Sequence, residues 1–167
     1  AYLEQEERSF GVGPFVNLYN EGTLEYLVGR GARRVCFPPE LPLDAVRVLS
    51  ARAAELGAVP EVWAFGRTPL ALSGRCYHAR LQGLTKDSCQ FVCERDLDGL
   101  PVRTLDERSL LAINGVQTLS HAYANLVGDW AALRDAGVQS RRLSPHICDM
   151  VAVAGTFPAA LDARIGA

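Results

Sequence analysis

Three cysteines that lie close together in the chain are the residues best suited to chemistry. Cys76, Cys89 and Cys93 follow the spacing C-x(12)-C-x(3)-C. Thiolates are soft ligands of the kind that iron and zinc take, and either centre usually has four ligands. Arg75, Arg80 and Lys86 are nearby in the sequence, and positive charge favours the thiolate form of cysteine. The spacing therefore predicts a metal or iron–sulfur site on this stretch of chain.

The spacing alone leaves the kind of centre open. A cluster with its fourth ligand elsewhere and a zinc ion completed by His78 or His146 fit it equally well. Cys148 lies between a predicted strand and a predicted helix, so it is a further candidate for the fourth ligand. Three unrelated buried thiols are the remaining interpretation, which the polar loop around Cys89 disfavours. Cys36 lies in the middle of an apolar strand pattern and predicts a core thiol.

Three polar residues are weaker candidates for binding substrate. Arg142 ends a predicted strand, where a guanidinium can hold a carboxylate by paired hydrogen bonds. Asn114 and Gln117 fall on one predicted strand, and their odd separation lets at most one of them face the interior. The sequence has no Ser/His/Asp order and no HExxH string. It therefore predicts no peptidase mechanism, and the catalytic residues remain unknown.

Composition sets the class of protein. The chain has 167 residues, of which 49% are hydrophobic and 22% charged, as expected of a single globular domain over residues 1–167. The net charge of −2 argues against a nucleic-acid partner. No apolar run approaches the roughly 18 residues of a membrane span. An odd cysteine count favours a reduced, cytoplasmic compartment over a secreted disulfide framework. Because the chain starts with Ala1 and its only methionine is Met150, we expect a piece of a longer protein.

The elements that must position these residues alternate between strand and helix patterns. Strands are predicted at 15–19, 34–37, 61–65, 110–119 and 140–143, and helices at 22–29, 43–56, 123–135 and 149–165, the last with a break at Pro158. The segment 69–80 is predicted to begin helically and to carry Cys76 at its end. Residues 85–108 have no helical period, and Asp98-Gly99 predicts a hairpin turn between 91–92 and 102–103.

About five βα units with a cysteine-bearing loop and hairpin insertion predict an α/β fold, a partial TIM-barrel-like (β/α) structure. A closed eight-stranded barrel takes about 250 residues, so this chain is expected to be the C-terminal part of one. A small doubly wound domain is the alternative. The sequence offers no glycine fingerprint for it.

Several motifs resemble those of one known family. They are Glu61–Gly66 (EVWAFG), Ser73–Cys76 (SGRC), Lys86–Cys89 (KDSC), Asn114–Thr118 (NGVQT) and Arg142–Pro145 (RLSP). Together they resemble the signature of the peptidase U32 family, often called collagenase-like proteases. Residues 13–20 and 39–41 fit as well, so the resemblance covers nearly the whole chain. It implies that residues 1–167 are the C-terminal portion of a U32-type β/α barrel whose N-terminal part, roughly a hundred residues, is absent here.

Two departures from the family pattern indicate a branch. The general signature has a histidine where Phe65 stands and a cysteine where Pro69 stands. The absence of that cysteine, with the spacing of the three cysteines present, resembles the UbiV-type subunits of ubiquinone biosynthesis. This resemblance implies that Cys76, Cys89 and Cys93 ligate a [4Fe-4S] cluster. The fourth cysteine of that branch lies near the N-terminus, outside this chain.

The function that this branch implies is oxygen-independent hydroxylation of the quinone precursor. The subunit would act as a heterodimer with a UbiU-like U32 subunit, with prephenate as hydroxyl donor and an SCP2-type lipid-binding accessory protein. A U32 peptidase and a zinc-stapled, non-catalytic binding scaffold are the alternatives. Fold and family each host many functions, so all three stay open at this point.

Overall fold

The computed structural model describes residues 9–157, which divide into two compact units. The first unit comprises residues 9–65, 125–143 and 151–157, and the second comprises 66–124 and 144–150. In chain order the elements are β1 (Phe10–Val12), α1 (Glu21–Gly29), β2 (Ala32–Cys36), α2 (Leu43–Glu55), β3 (Val59–Leu72), α3 (Tyr77–Leu81), β4 (Leu100–Arg103), β5 (Ser109–Asn114), β6 (Gln117–Asn125), α4 (Trp130–Asp135), β7 (Ser140–Leu143) and α5 (Met150–Thr156). Two short 3-10 turns, Lys86–Ser88 and Val92–Arg95, lie between α3 and β4.

The first unit is built on parallel strands. β1 pairs with β2, β2 with the first part of β3, and β3 with β7, all in parallel. Asn20 begins α1 by accepting a hydrogen bond from the Thr23 amide at 2.9 Å, as capping residues do. The apolar faces of α1 and α2 pack into a core that includes Leu24, Leu49 and Trp130. The helices predicted at 22–29 and 43–56 and the strands at 34–37 and 140–143 are confirmed.

The second unit is built on an antiparallel meander. β5 pairs with β6 and β4 with β5, both antiparallel. Gly115, with φ +61, provides the left-handed backbone that a two-residue turn between β5 and β6 needs. The strand path through the described residues is β1-β2-β3-β6-β5-β4, with β7 on β3, and the sheet is not closed. The α/β class is therefore confirmed, whereas the partial-barrel and single-domain assignments remain predictions.

Two predicted strands are wrong. Residues 15–19 form no strand, because the chain turns at Gly13, whose carbonyl accepts the Val16 amide, and Phe15, Val16 and Tyr19 are exposed. The first strand is Phe10–Val12 instead. The single strand predicted at 110–119 is two strands, since the turn at Gly115 folds the apolar run back on itself.

Two predictions around the cysteine segment are also wrong, and one helix further along the chain is shorter than predicted. β3 continues through Leu72 because Thr68 and Ser73 hydrogen-bond to the β6 side of the meander, so no helix begins at residue 69. Residues 91–92 form no strand, and the hairpin partner of β4 is β5. The helix predicted at 123–135 is shortened to Trp130–Asp135, because β6 extends to Asn125.

The last predicted helix is shorter than expected within the described residues. It runs from Met150 to Thr156, and the predicted break at Pro158 lies outside them. Within residues 9–157 no helix has both the length and the apolarity that crossing a bilayer requires.

Candidate functional site

Cys76 caps the start of α3 rather than ending a helix. Its side chain is buried, and its Sγ accepts a hydrogen bond from the Ala79 amide at 3.4 Å. The predicted position at a helix end is therefore wrong, because the helix lies on the C-terminal side of the cysteine. Backbone N–H donors directed at sulfur are typical of cysteines that ligate iron–sulfur clusters and tune their potential. This geometry suits Cys76 to ligation.

Cys89 and Cys93 flank a strained reversal of the chain. Both side chains are half-buried, and the Val92 amide donates to the Cys89 carbonyl at 3.2 Å. Between them Gln90 and Phe91 have φ values of +50 and +53. Non-glycine residues in this left-handed region cost about 1 kcal/mol or more each, and such strain concentrates at functional sites. The backbone between the two cysteines is thus held in an unfavourable conformation.

A buried histidine ties the Cys76 helix to the Cys93 turn. His78 is 2% exposed, and its Nε2 lies 2.8 Å from Asp96 Oδ2 at the end of that turn. If Nε2 donates to the carboxylate, Nδ1 carries the lone pair. Nδ1 is buried, and it has no hydrogen-bond partner among the described residues. The three cysteines therefore belong to one locally cross-linked segment, residues 76–96.

The donor set fits a metal or cluster in its chemistry, but within residues 9–157 it forms no site for a single metal ion. Three cysteine sulfurs are what an iron–sulfur cluster takes. Within residues 9–157, however, no three His, Cys, Asp or Glu side chains gather closely enough to hold a metal ion. The thiols of Cys76, Cys89 and Cys93 therefore form no single-ion site among the described residues. Ligation by them remains a prediction.

The other two cysteines differ sharply in environment. Cys148 is exposed in the loop before α5, with its Sγ 3.6 Å from Met150 Sδ. Cys36 is fully buried at the end of β2. Burial, reinforced by the nearby Glu61 carboxylate and opposed by Arg142, raises the pKa of the Cys36 thiol to about 12. Cys36 is therefore the core thiol that its strand pattern predicted, and Cys148 remains a candidate ligand.

Arg142 is already paired with a carboxylate of its own chain. Its Nε and Nη2 each lie 2.7 Å from Oε1 of Glu61, which is 3% exposed. Ser140 donates to the other oxygen at 3.0 Å, and Arg34 Nη1 lies 3.7 Å away from it. A substrate carboxylate would have to compete with Glu61 for this guanidinium. The substrate role of Arg142 remains a prediction.

Asn114 and Gln117 are neighbours across the β5–β6 turn. They are register partners in the antiparallel pair, so their side chains lie on the same face of the sheet. The single strand that would have placed them on opposite faces is therefore wrong, and their role in binding substrate remains a prediction. Both are half-buried beside the turn at Gly115.

A polar network centred on Asp98 was not predicted from the sequence. Its Oδ1 accepts the Ile147 amide at 2.9 Å and lies 3.3 Å from His146 Nδ1, while Oδ2 accepts the Tyr123 hydroxyl at 2.8 Å. Burial alone would raise the pKa of Asp98, but these hydrogen bonds outweigh it and lower that pKa. His146 Nε2 accepts the Arg67 amide at 3.1 Å. Since both ring nitrogens of His146 are engaged, the prediction of a zinc ligand at His146 is not supported by this geometry.

Arg67 completes the network from β3. It is 9% exposed, its Nε donates to the Asp98 carbonyl at 3.1 Å, and its guanidinium lies 4.6 Å from the Tyr123 ring centroid. Nη1 donates to the carbonyls of Ser120 and His121. His121 is thus part of β6. The residues of the network are far apart in the chain, and only Asp98-Gly99 and Ser144-Pro145-His146 gave a local signal.

Comparison with known proteins identifies the family. The chain matches the profile of Peptidase family U32 over residues 6–164. It belongs to peptidase family U32. No solved structure matches the chain. In this U32 protein the Asp98–His146 pair resembles the orienting half of a hydrolytic site, but the His146 Nε2 lone pair receives the Arg67 amide. A general base for a nucleophile would need that lone pair.

Proposed function

We propose that this U32 protein is the iron–sulfur subunit of an oxygen-independent hydroxylase, a cytoplasmic UbiV-type subunit of ubiquinone biosynthesis. The observation that carries the proposal is the segment 76–96, in which Cys76, Cys89 and Cys93 lie on one cross-linked stretch. In this proposal the chain is the C-terminal part of a U32-type β/α barrel. Its partners are a UbiU-like U32 subunit and an SCP2-type lipid-binding protein, with prephenate and a quinone precursor as substrates.

In this proposal the cluster lies on the cysteine segment. The left-handed residues Gln90 and Phe91 lie between Cys89 and Cys93, and backbone strain of this kind concentrates at functional sites. The fourth ligand is Cys148 or a cysteine outside this chain. A bound [4Fe-4S] cluster would supply electron transfer.

Hydrolysis and zinc binding are the competing functions. The family name and the Asp98–His146 pair favour a peptidase, but the engagement of His146 by the Arg67 amide opposes it. A zinc-stapled scaffold would use the same three thiols, with the buried His78 Nδ1 as a nitrogen donor.

Metal analysis of anaerobically purified, full-length protein separates these functions. We expect a brown protein that contains iron and acid-labile sulfide, absorbs broadly near the visible blue and bleaches in air or with dithionite. Stoichiometric zinc in a colourless protein after anaerobic reconstitution would establish the scaffold instead. Cleavage of a denatured protein substrate that is lost in His146→Ala, with metal content unchanged, would establish the peptidase.

A further inference from the structure

An apolar pocket of about 490 Å³ lies within the second unit, between α3 and the meander. α3 contributes Tyr77, Arg80 and Leu81 to its lining. The strands contribute Val102, Leu111, Ile113 and Thr118. The volume falls within the roughly 300–1,000 Å³ of small-molecule sites. No residue of this lining was singled out by the sequence analysis as a binding residue.

Strand register explains why the floor of the pocket is apolar. Val102 is the register partner of Leu111, and Ile113 is the partner of Thr118. Partners directly opposite one another, and residues two apart on one strand, share a face of the sheet. All four side chains are therefore on one face. Leu110 is on the other face and is 52% exposed.

Arg80 gives this pocket one charged group. It is the single charged residue among the seven that line the pocket, and it is exposed. Within the described part of the chain its guanidinium makes no ion pair or hydrogen bond that would neutralise it. An arginine can pack its apolar stem along such a wall and keep its charged end at the solvent edge. A guanidinium in this position is suited to carboxylate or phosphate oxygens.

We propose that this pocket binds an amphiphilic anion. The apolar body of the ligand, an aromatic ring or a hydrocarbon chain, packs on Leu111 and Ile113, and its carboxylate or phosphate pairs with Arg80. Tyr77 and Leu81, which are 48% and 65% exposed, form the edge of the pocket that the ligand covers. The proposal rests on the pocket and is independent of cluster binding.

The charge of the ligand is tested with three probes on the full chain. Calorimetric titrations compare dodecanoate, dodecyl phosphate and dodecanol, all below their aggregation limits. We expect Arg80→Gln to lower the affinity for one or both anions about tenfold, because a charged hydrogen-bonded pair is lost. The affinity for dodecanol should not change. The anion with the larger loss identifies the head group. Arg103→Gln is the matched control, because Arg103 follows the lining residue Val102 but does not line the pocket. This variant should leave the affinity for each of the three probes unchanged.

The location of the site is tested by filling the pocket. Leu111→Trp should abolish binding of all three probes, whereas Leu110→Trp on the opposite face should leave it intact, with circular dichroism confirming the fold of both. Equal affinities of wild type and Arg80→Gln for both anions would overturn the proposal. Undiminished binding in Leu111→Trp would overturn it as well. So would the absence of saturable binding together with a dimer that Leu111→Trp dissociates, because a second copy would then cover this face.

Discussion

Cys36 shows how strongly the environment of a single thiol controls its chemistry. The side chain is fully buried on β2, and its pKa rises from an ordinary 9.0 to about 12. A thiol that resists ionisation to this degree is a poor nucleophile and a poor metal ligand. It is instead linked to stability, because folding favours its protonated form.

The pH dependence of unfolding tests this linkage. Because the folded-state pKa lies above the unfolded value, the stabilisation is complete below about pH 9 and is lost as pH rises toward 12. In that window wild type should lose stability, relative to Cys36→Ala, by up to about 1.4 kcal/mol per pH unit. Urea denaturation of both proteins from pH 7.5 to 10.5, a range that includes the start of this window near pH 9, measures the difference. Parallel curves would contradict the assigned pKa.

At the scale of the element, Gly66 marks the point where β3 leaves the first unit. Its φ is +114, and a Cβ there would lie 2.6 Å from Ser144 Cβ and 2.9 Å from His146 Nε2. Glycine is therefore required both for its positive φ and because a Cβ would clash with the neighbouring side chains. The close approach brings the loop that carries His146 against β3, which makes the Arg67 and Asp98 hydrogen bonds possible.

Three alanine variants separate strain from crowding. Gly66→Ala should lower the free energy of unfolding by about 2 kcal/mol or more, because the new Cβ would suffer both the backbone strain of a positive φ and the steric clash. Gly83→Ala, with φ +70 and open space around it, should cost about 1 kcal/mol from the backbone alone. Gly74→Ala, with open space and no positive φ, should stay within about 0.5 kcal/mol. Urea titrations that gave Gly66→Ala and Gly74→Ala the same stability would contradict this account.

The secondary-structure elements differ in how well the sequence predicts them. The helices α1 and α2 and the short strands β2 and β7 were predicted because their sequence signals are local. The second unit was not predicted. Its meander depends on one turn residue, Gly115, and the residues on either side of it also fit the pattern of one continuous strand. At the candidate site, spacing identified the cysteines. The Asp98 network escaped detection because its partners are 25 to 49 residues away from it in the chain.

At the scale of the molecule, the open sheet has consequences for solution behaviour. Within the described residues β1, β4 and β7 each pair on one side only. Unpaired strand edges are templates for association. Pro101 in β4 removes one donor there, which blunts that edge but not the others.

We therefore expect the isolated 167-residue chain to self-associate or to require a partner chain. Light scattering coupled to size exclusion, run over a dilution series, should give a mass that falls with dilution. Supplying a candidate partner subunit in excess should replace the self-association with a defined complex. A monodisperse monomer at every concentration, with full hydroxylase activity, would refute this expectation.

The central claim is that Cys76, Cys89 and Cys93 hold an iron–sulfur cluster. Iron per protein, measured in parallel for single Cys→Ser variants of all five cysteines in the anaerobic full-length protein, tests it most directly. Serine is nearly isosteric but a harder donor, so each of these three variants should lose most of its iron. Cys36→Ser should keep its iron and lose only stability, and Cys148→Ser reports whether that residue is the fourth ligand. An empty site in Cys36→Ser together with a full site in Cys89→Ser would contradict the assignment.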